Sequence, residues 1–373
     1  MSCTHQRLAP GDMLDAPRHF IDRIDALEAH APAVEACHAV GIDTEFVRER
    51  TFFPQPGLLQ FSDGNEVWLI DPVALAGVEE FVTRLAEWMR NPGRVKILHS
   101  VGEDFEVIER VCGALPDPLF DTQIAAAMLG MPLQLKYETL AEERLGVTFP
   151  GGLGRNNWLR RPLPEAWTAY AAHDVIGLPE LMARLGDGLT RADRLDWHTE
   201  DCARLVERAR QPIDPLTRIR GADRLDDDAL ARLDRMARWR DDEARRRDLP
   251  RTFVAADPAL LEIARRNPGD PSGLDGIDKL KPGAARRFGP ALIECCRTPT
   301  PDFVRPPELE PLTRDDRDAV AELQKTVRAH AEELGVDPAL LASKRELTRI
   351  VRGERPDWLD GWRGELFGAD LDR

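Results

Sequence analysis

Alternating apolar and polar positions predict three antiparallel strands near the start of the chain. The first strand covers 39–46 and the second 58–61; a hairpin turn at 63–65 then leads to the third, at 67–70. Before them, apolar residues recur at helical spacing over 17–31, which predicts a helix. The chain therefore opens with a helix followed by a three-stranded meander.

Strands and helices alternate through the rest of the first half of the chain. The patterns predict short strands at 95–99 and 119–122, and helices at 77–90, 103–111, 137–145 and 164–185. A mixed sheet followed by alternating strands and helices indicates an α/β domain, to which we assign residues 15–208.

The second half of the chain shows helical patterns only, after a Pro-containing linker at 211–215. Helices are predicted at 227–247, 257–266 and 284–296 and, beyond a Pro-rich spacer, at 315–334, 338–342 and 344–351. These two groups predict two small all-α domains, residues 216–298 and 312–373.

Charge and hydropathy limit the classes of protein that the chain can represent. The net charge of −15 argues by itself against nucleic-acid binding, but residues 210–300 carry 19 Lys and Arg against 16 Asp and Glu. No apolar run approaches the roughly 20 residues of a membrane span, and Met1 to Pro10 lack the apolar core of a signal peptide. We expect a soluble cytoplasmic protein with no membrane partner.

The first predicted strand carries two acids where apolar residues are expected. Asp43 and Glu45 are two positions apart, so both side chains lie on the same face of the strand. Two ionised carboxylates in a half-buried site cost several kcal/mol unless a cation such as Mg²⁺ or Mn²⁺ neutralises them. The alternative is a strand end at which both acids are solvated.

Three further acids occur at predicted strand ends and on a predicted helix. Asp104 and Asp121 each follow a short strand, and Asp174 lies four residues after Tyr170 on one helix face. Taken singly, Asp104 and Asp121 suit helix N-caps, and Asp174 suits a solvated helix position. Taken together, four carboxylates in one cleft can bind two divalent ions about 4 Å apart, which suits phosphodiester hydrolysis.

Four motifs carry these acids in a characteristic order. They read Ile42-Asp43-Thr44-Glu45-Phe46, His99-Ser100-x-x-Glu103-Asp104, Asp121-Thr122-Gln123 and Tyr170-Ala171-Ala172-x-Asp174. In this the chain resembles the DEDD exonucleases of the tyrosine subclass, and specifically the bacterial ribonuclease D family. Residues 239–265 are similar to the HRDC domain that this family shares with RecQ helicases. The resemblance implies a ribonuclease H-like α/β exonuclease domain, a mixed sheet with flanking helices, followed by two HRDC-type helical domains.

The resemblance also implies an activity and a set of catalytic residues. It implies a 3′–5′ exoribonuclease that trims tRNA precursors and other structured RNAs, uses two Mg²⁺ or Mn²⁺ ions and releases nucleoside 5′-monophosphates. Asp43 would bridge both ions, and Glu45 and Asp174 would complete the site of the nucleophile-side ion. Asp104 would hold the leaving-group ion, and Tyr170 would position the attacking water.

For most of the residues outside the metal site, the sequence leaves two roles open. Asp121 matches the family motif and is interpreted as a supporting residue rather than a ligand. Phe52 and Phe53 could stack on a terminal base or could pack in the core. Arg245 and Arg246 could contact phosphates, or could be solvated helix positions balanced by nearby acids.

Two functions of other classes fit parts of the same pattern. One is a DNA exonuclease with the same metal chemistry, because contacts to the 2′-hydroxyl have no sequence motif here. The other is a non-catalytic RNA-binding protein that has kept the fold. We expect no obligate protein partner and, since no heptad pattern is present, a monomer.

Overall fold

A computed structural model describes residues 8–154 and 156–371 of the chain. The first seven positions, part of the segment considered for a signal peptide, lie outside the described residues. So do position 155 and the last two positions of the predicted second helical domain.

A six-stranded mixed sheet forms the centre of the α/β domain, in the order β1-β4-β3-β2-β5-β6. The strands are β1 (Arg18–Ile21), β2 (Ala39–Val47), β3 (Gln55–Ser62), β4 (Val67–Ile70), β5 (Val95–Leu98) and β6 (Leu119–Asp121). β2, β3 and β4 are antiparallel neighbours, which confirms the predicted meander. β5 and β6 extend the sheet parallel to β2, and β1 joins the other edge parallel to β4.

The α-helices of this domain cover both faces of the sheet. They are α1 (Ile24–Ala36), α2 (Glu79–Arg90), α3 (Asp104–Cys112), α4 (Thr122–Met128), α5 (Tyr137–Leu145), α6 (Glu165–Ile176), α7 (Leu178–Arg191) and α8 (Leu195–Arg210). The hydrophobic patterns had not predicted α8.

The helix predicted over 17–31 is wrong in its first part. Residues Arg18–Ile21 form the edge strand β1, and α1 begins at Ile24. Phe20 is 42% exposed and Ile21 only 1%, the alternation expected of a strand. Over so short a run the apolar spacing fits a helix or a strand, and the hydrogen bonds to the distant strand β4 decide between them.

The helix predicted over 164–185 is two helices that meet at Gly177. A Cβ at this position would lie 2.8 Å from Tyr137 Oη and 3.0 Å from Leu145 Cδ1. The Gly177 N–H donates a hydrogen bond of 3.2 Å to the same Tyr137 hydroxyl. The close approach of α5 therefore requires glycine here, and the helix axis breaks.

Two apolar clusters, one on each face of the sheet, orient the acids of β2. Ile42 belongs to the cluster under α1, α2 and α3, whereas the other face of the sheet packs against α4 to α7. Because strand side chains alternate, Thr44 lies on the side of α3, and Asp43 and Glu45 lie on the side of α6.

Two helical regions follow the α/β domain. The first contains α9 (Asp227–Arg247), α10 (Arg251–Val254), α11 (Asp257–Arg266) and α12 (Pro282–Arg297), and the second α13 (Arg314–Leu334), α14 (Pro338–Leu341), α15 (Lys344–Val351) and α16 (Trp362–Leu371). Short 3₁₀ helices occur at Pro10–Asp15, Ala222–Arg224, Pro271–Leu274, Pro307–Leu309 and Asp357–Asp360. The first helical region has an apolar cluster of its own.

The second helical region shares its core with the α/β domain. Its apolar side chains belong to the same cluster as those of α4 to α7. Trp362 stacks on Trp197 of α8 with ring centroids 4.4 Å apart. Arg363 donates to both carboxylate oxygens of Asp201, at 2.5 and 2.8 Å. The end of the chain thus returns to its α/β domain.

Within the two described stretches, no helix is both long enough and apolar enough to span a membrane.

Candidate active site

Strand β2 and helix α6 bring three carboxylates together. Asp43 and Glu45 lie on one face of β2, and α6 crosses that face with Asp174. One carboxylate oxygen from each of the three residues lies within 4.8 Å of the other two. A β-bulge between Glu45 and Phe46 shifts the register with β3 directly after the second acid. The three acids therefore occupy the last regular part of a central strand and the helix above it.

Asp104 joins the same cavity from the other side of the sheet. It is the first residue of α3, and its carboxylate accepts a hydrogen bond from the Thr44 hydroxyl of β2. Asp104 lines a cavity of about 580 Å³ together with the three clustered acids. The structure therefore brings together all four carboxylates that the sequence predicts at one site.

Tyr170 lines this cavity one helical turn before Asp174. A Cβ added to Gly154 would lie 3.4 Å from Tyr170 Oη, so the glycine leaves the hydroxyl accessible from that side. Burial, followed by the charge of Asp174, raises the pKa of Tyr170 above its ordinary value of 10.0. The phenol is therefore protonated at neutral pH and can donate a hydrogen bond.

Asp121 lies beneath the site and does not line the cavity. Its carboxylate caps α4 by accepting from the backbone N–H groups of Gln123 and Ile124, at 2.8 and 3.2 Å. It also accepts from the N–H groups of Ser100 and Val101, at 3.3 and 3.0 Å. The N-cap alternative is thus correct for Asp121, and the same side chain fixes the loop that leads into α3.

The four carboxylates repel one another and are largely withdrawn from water. Burial, then the charges of Asp174 and Asp104, raises the pKa of Glu45 to about 9. Burial and the charge of Glu138 raise the pKa of Asp174 to about 7, and burial raises that of Asp104 to about 6. The pKa of Asp43 is also raised, chiefly by burial. A bound cation would remove most of this cost.

Known proteins with the same organisation identify the family. Residues 18–190 match the family model described as 3′-5′ exonuclease, and residues 229–296 match that of the HRDC domain. Ribonuclease D of Xanthomonas oryzae is 37% identical over 360 residues, covering 95% of this chain and 96% of the relative. Ribonuclease D of Escherichia coli is 35% identical over 363 residues, covering 93% and 95%. The chain belongs to the ribonuclease D family.

The fold agrees with this assignment. The crystal structure of E. coli ribonuclease D superposes with a TM-score of 0.85 at 32% sequence identity, covering 95% of this chain and 97% of that one. The ribonuclease D family confirms the predicted 3′–5′ exoribonuclease activity, and the superposition confirms the mixed α/β domain followed by a helical HRDC region.

Divalent metal ions belong to the chemistry of ribonuclease D-type enzymes, and the donors here fit them. The cluster of Asp43, Glu45 and Asp174 offers carboxylate oxygens, the ligands that hard cations prefer. Their raised pKa values show that the ionised forms of these three acids are unfavourable without a positive charge nearby. A site of this composition favours Mg²⁺-like ions over zinc, which prefers nitrogen and sulfur.

We expect the metal-free ribonuclease D fold to lose stability as the pH rises. Glu45 and Asp174 have pKa values of about 9 and about 7 in the folded protein, against 4.5 and 3.8 in the unfolded chain. Their contribution is complete below about pH 4 and is lost as the pH rises through the folded values. Between about pH 6 and 8 the loss is about 4 kcal/mol. Chemical denaturation in EDTA at several pH values measures it.

The control for this pH dependence is the double variant Glu45→Gln/Asp174→Asn, which lacks both titrating groups. Its unfolding free energy should change less with pH than that of the wild type. Added Mg²⁺ should stabilise the wild type more at about pH 8 than at about pH 6, because protons compete with the metal. Equal pH slopes for the two proteins would contradict the raised pKa values.

Phe52 and Phe53 lie where the α/β domain meets the first helical region. Phe52 is 5% exposed and packs in an apolar cluster with Val254 and Phe288, so the packing alternative describes it. Phe53 is half-buried, and the guanidinium of Arg110 lies 4.4 Å from its ring centre. Of the two rings, Phe53 is the one with surface left for a base.

Arg245 and Arg246 are exposed on α9 but already have acidic partners. Arg245 pairs with Asp241 at 3.5 Å, and Arg246 pairs with Glu243 at 2.9 Å. The alternative of helix positions balanced by nearby acids therefore describes their contacts. The arginines of both pairs are exposed although their acids are nearly buried, so an RNA phosphate can still reach either arginine from solvent.

Three residues at or near the site escaped the sequence reasoning. Glu138 of α5 lines the cavity and raises the pKa of Asp174, but its sequence looks like an ordinary amphipathic helix. Thr44 received no role from the sequence, although its hydroxyl donates a hydrogen bond to the Asp104 carboxylate. Asp248 accepts from the Phe52 and Phe53 N–H groups at 3.0 and 3.1 Å, a contact across 195 residues that no local pattern predicts.

Proposed function

We propose that this member of the ribonuclease D family removes nucleotides one at a time from the 3′ ends of structured RNAs, tRNA precursors foremost, releasing nucleoside 5′-monophosphates. The observation that carries the proposal is the cavity in which Asp43, Glu45, Asp104 and Asp174 converge beside Tyr170. The E. coli relative, whose fold this chain shares, is described as an exoribonuclease involved in structured RNA processing.

In this proposal the four carboxylates hold two Mg²⁺ or Mn²⁺ ions. Asp43 would serve both ions, Glu45 and Asp174 would complete one site, and Asp104 would complete the other. When bound, such a pair supplies a water of lowered pKa and stabilises the leaving oxygen. Thr44 fixes the Asp104 carboxylate by its hydrogen bond, so that this ligand is oriented before substrate arrives.

Tyr170 orients the attacking water in this proposal and does not remove its proton. Its raised pKa makes the phenolate inaccessible at neutral pH, so the hydroxyl acts as a hydrogen-bond donor. Asp121 acts indirectly, by holding the Ser100 and Val101 amides that precede α3. Phe53, Arg245 and Arg246 contact RNA near the entrance, and Phe52 supports Phe53 from the domain contact.

We infer three units in the chain, residues 15–208, 216–298 and 312–373, with the last two both HRDC-type. The break in helical structure near 211–215 and the separate apolar cluster of the first helical region support the first boundary. The enzyme would act as a monomer, without an obligate protein partner, in the cytoplasm where its RNA substrates are made.

Replacing Tyr170 by Phe should lower kcat about 100-fold and leave KM for RNA within about twofold. The substitution removes only the hydroxyl, and positioned proton donors contribute about this much. Initial rates on a labelled 3′-tailed RNA measure it. The control is Tyr137→Phe: that hydroxyl bonds the His173 carbonyl and the Gly177 N–H, so it should affect stability more than turnover. A Tyr170→Phe enzyme of wild-type kcat would remove the tyrosine from the mechanism.

The function itself is tested with a hairpin RNA that carries a 3′ extension and with its DNA counterpart. Stepwise Mg²⁺-dependent shortening of the RNA from the 3′ end, abolished by EDTA, is expected. Equal shortening of the DNA would favour a DNA exonuclease. Binding of RNA without shortening of either substrate would favour the non-catalytic alternative.

A further inference from the structure

A cleft between the two helical regions carries an unusual excess of arginine. Its volume is about 860 Å³, larger than the active-site cavity. One wall is the segment 217–226, which leads into α9; the other is formed by α13, α15 and the connecting segment 308–312. Seven arginines and four acids line it: Arg218, Arg220, Arg224, Arg317, Arg345, Arg349 and Arg352, with Asp223, Asp226, Glu308 and Glu310. The cleft is thus a positive site in a protein whose net charge is −15.

Three of the seven arginines serve the structure of the cleft. Arg352 donates to the Glu308 carbonyl at 2.8 Å, and Arg317 donates to the Leu312 carbonyl at 2.9 Å. Arg349 forms an ion pair of 2.7 Å with Glu354. These contacts fix the connecting segment against α13 and α15.

The other four arginines have no such role. Arg218, Arg220, Arg224 and Arg345 are exposed, and none makes a side-chain hydrogen bond or ion pair with another residue of the described ranges. They lie on both walls, since three precede α9 and one is on α15. With seven arginines and four acids in the lining, the unpaired guanidinium groups repel one another on balance, and a bound anion would offset this repulsion.

Arg218 connects the cleft with the nuclease side of the molecule. Its side chain keeps exposed surface but is partly desolvated, and this desolvation, followed by the charge of Arg251, lowers its pKa. The charges of Asp241, Glu106 and Arg48 also act on it. Arg48 directly follows β2, the strand that carries two of the clustered acids, and pairs with Glu106 at 2.7 Å. Arg218 therefore lies within electrostatic range of residues at the end of the catalytic strand.

We propose that this cleft binds the sugar-phosphate backbone of the RNA substrate at a distance from its 3′ end. Arginine is the side chain best suited to phosphate, because its fork of donors binds two oxygens at once. The volume suits a short run of backbone rather than a duplex, since pockets of this size hold ligands of drug-like dimensions. The proposal rests on the proposed function, because it takes RNA as the substrate.

The cleft adds a second phosphate-binding surface to the one expected from the sequence. The arginine runs of α9 were the visible candidates, but Arg245 and Arg246 face acids one turn away. The cleft arginines are scattered over more than 120 positions and come together only in the folded chain. Backbone contacts of this kind position RNA without reading its sequence.

The test is the double variant Arg220→Gln/Arg345→Gln, which removes one charge from each wall. Its matched control is Arg191→Gln/Arg328→Gln, two exposed helix positions outside the cleft with the same change in net charge. Affinity for a fluorescent 3′-tailed hairpin RNA is measured in EDTA by anisotropy at several salt concentrations. The cleft variant should bind about tenfold more weakly at about 0.1 M salt, and its salt slope should fall by about 1.4. The control should match the wild type.

A second measurement separates the cleft from the active site. With Mg²⁺, kcat/KM of the cleft variant should fall on the hairpin RNA and stay within about twofold of wild type on a trinucleotide, which cannot reach the cleft. Equal losses on both substrates, or no loss of hairpin affinity, would overturn the proposal. Inorganic phosphate is the competing probe. If phosphate binds in the cleft and the affinity for RNA does not change, the site belongs to a free anion and the proposal is overturned. If the wild type binds the hairpin through the cleft but does not shorten it, the proposed function fails and the cleft proposal stands.

Discussion

Asp43→Asn should reduce Mg²⁺-dependent 3′ shortening of RNA at least about a thousandfold, and it should also make the metal-free protein more stable at about pH 8. The first effect follows because the charges of the three other acids all act on Asp43, which is proposed to bind both ions. The second follows because the amide removes a carboxyl group whose own pKa is raised by burial and by the charges of the other three acids. Single-turnover rates and melting curves in EDTA measure the two effects.

The matched control is Asp187→Asn, an exposed position on α7 outside the cavity. It should change neither the rate nor the melting temperature appreciably. Mg²⁺ should raise the melting temperature of the wild type and of this control, but much less that of Asp43→Asn. A slow enzyme whose melting temperature still responds fully to Mg²⁺ would show that Asp43 acts in some way other than as a ligand.

Asp201→Ala should destabilise the protein by about 3–5 kcal/mol. Asp201 accepts two hydrogen bonds from Arg363 and one of 3.1 Å from the Trp362 indole. The side chains of Asp201 and Arg363 are each only 11% exposed. Truncation therefore leaves the Arg363 guanidinium with its two backbone carbonyl acceptors but without its acid, and leaves the Trp362 indole N–H without its acceptor. Urea denaturation followed by tryptophan fluorescence measures the change.

Two further variants serve as controls for Asp201→Ala. Asp196→Ala, an exposed position on the same helix, should cost less than about 0.5 kcal/mol. Asp201→Asn keeps an acceptor for the indole but loses the charge. Its loss of stability should lie between those of Asp201→Ala and Asp196→Ala. If Asp201→Ala were no more destabilising than Asp196→Ala, the ion pair would contribute nothing to holding the second helical region in place.

The sequence predicted those elements whose pattern is long or has a single interpretation. The meander of β2, β3 and β4 is an example, because alternation, a turn and a return strand agree. β1 was missed, because four residues of apolar spacing suit a helix equally well. The break at Gly177 was missed as well, because its cause is the side chain of Tyr137, forty residues away. Contacts between distant segments leave no local periodicity to detect.

In the candidate site, too, some residues could be predicted from local sequence and others could not. The residue types and spacing of the four acids and Tyr170 pointed to one cavity, where the structure places them. The groups that orient them were harder to predict: Thr44 in an apolar run and Glu138 on an ordinary helix have nothing unusual in their sequence context. The ion pairs of Arg245 and Arg246 with acids form only in the folded helix, so the sequence left their role open, and their contact with RNA stays a prediction.

The shared core of the α/β domain and the second helical region has a consequence for biosynthesis. The α/β domain is complete at the end of α8, but α16, whose Trp362 stacks on Trp197, ends about 160 residues later. At about 5–20 residues per second, translating this stretch takes roughly ten to thirty seconds. During that interval the apolar face later covered by α13 to α16 stays exposed on the nascent chain. That surface is a natural place for a chaperone to bind until the last helix leaves the ribosome.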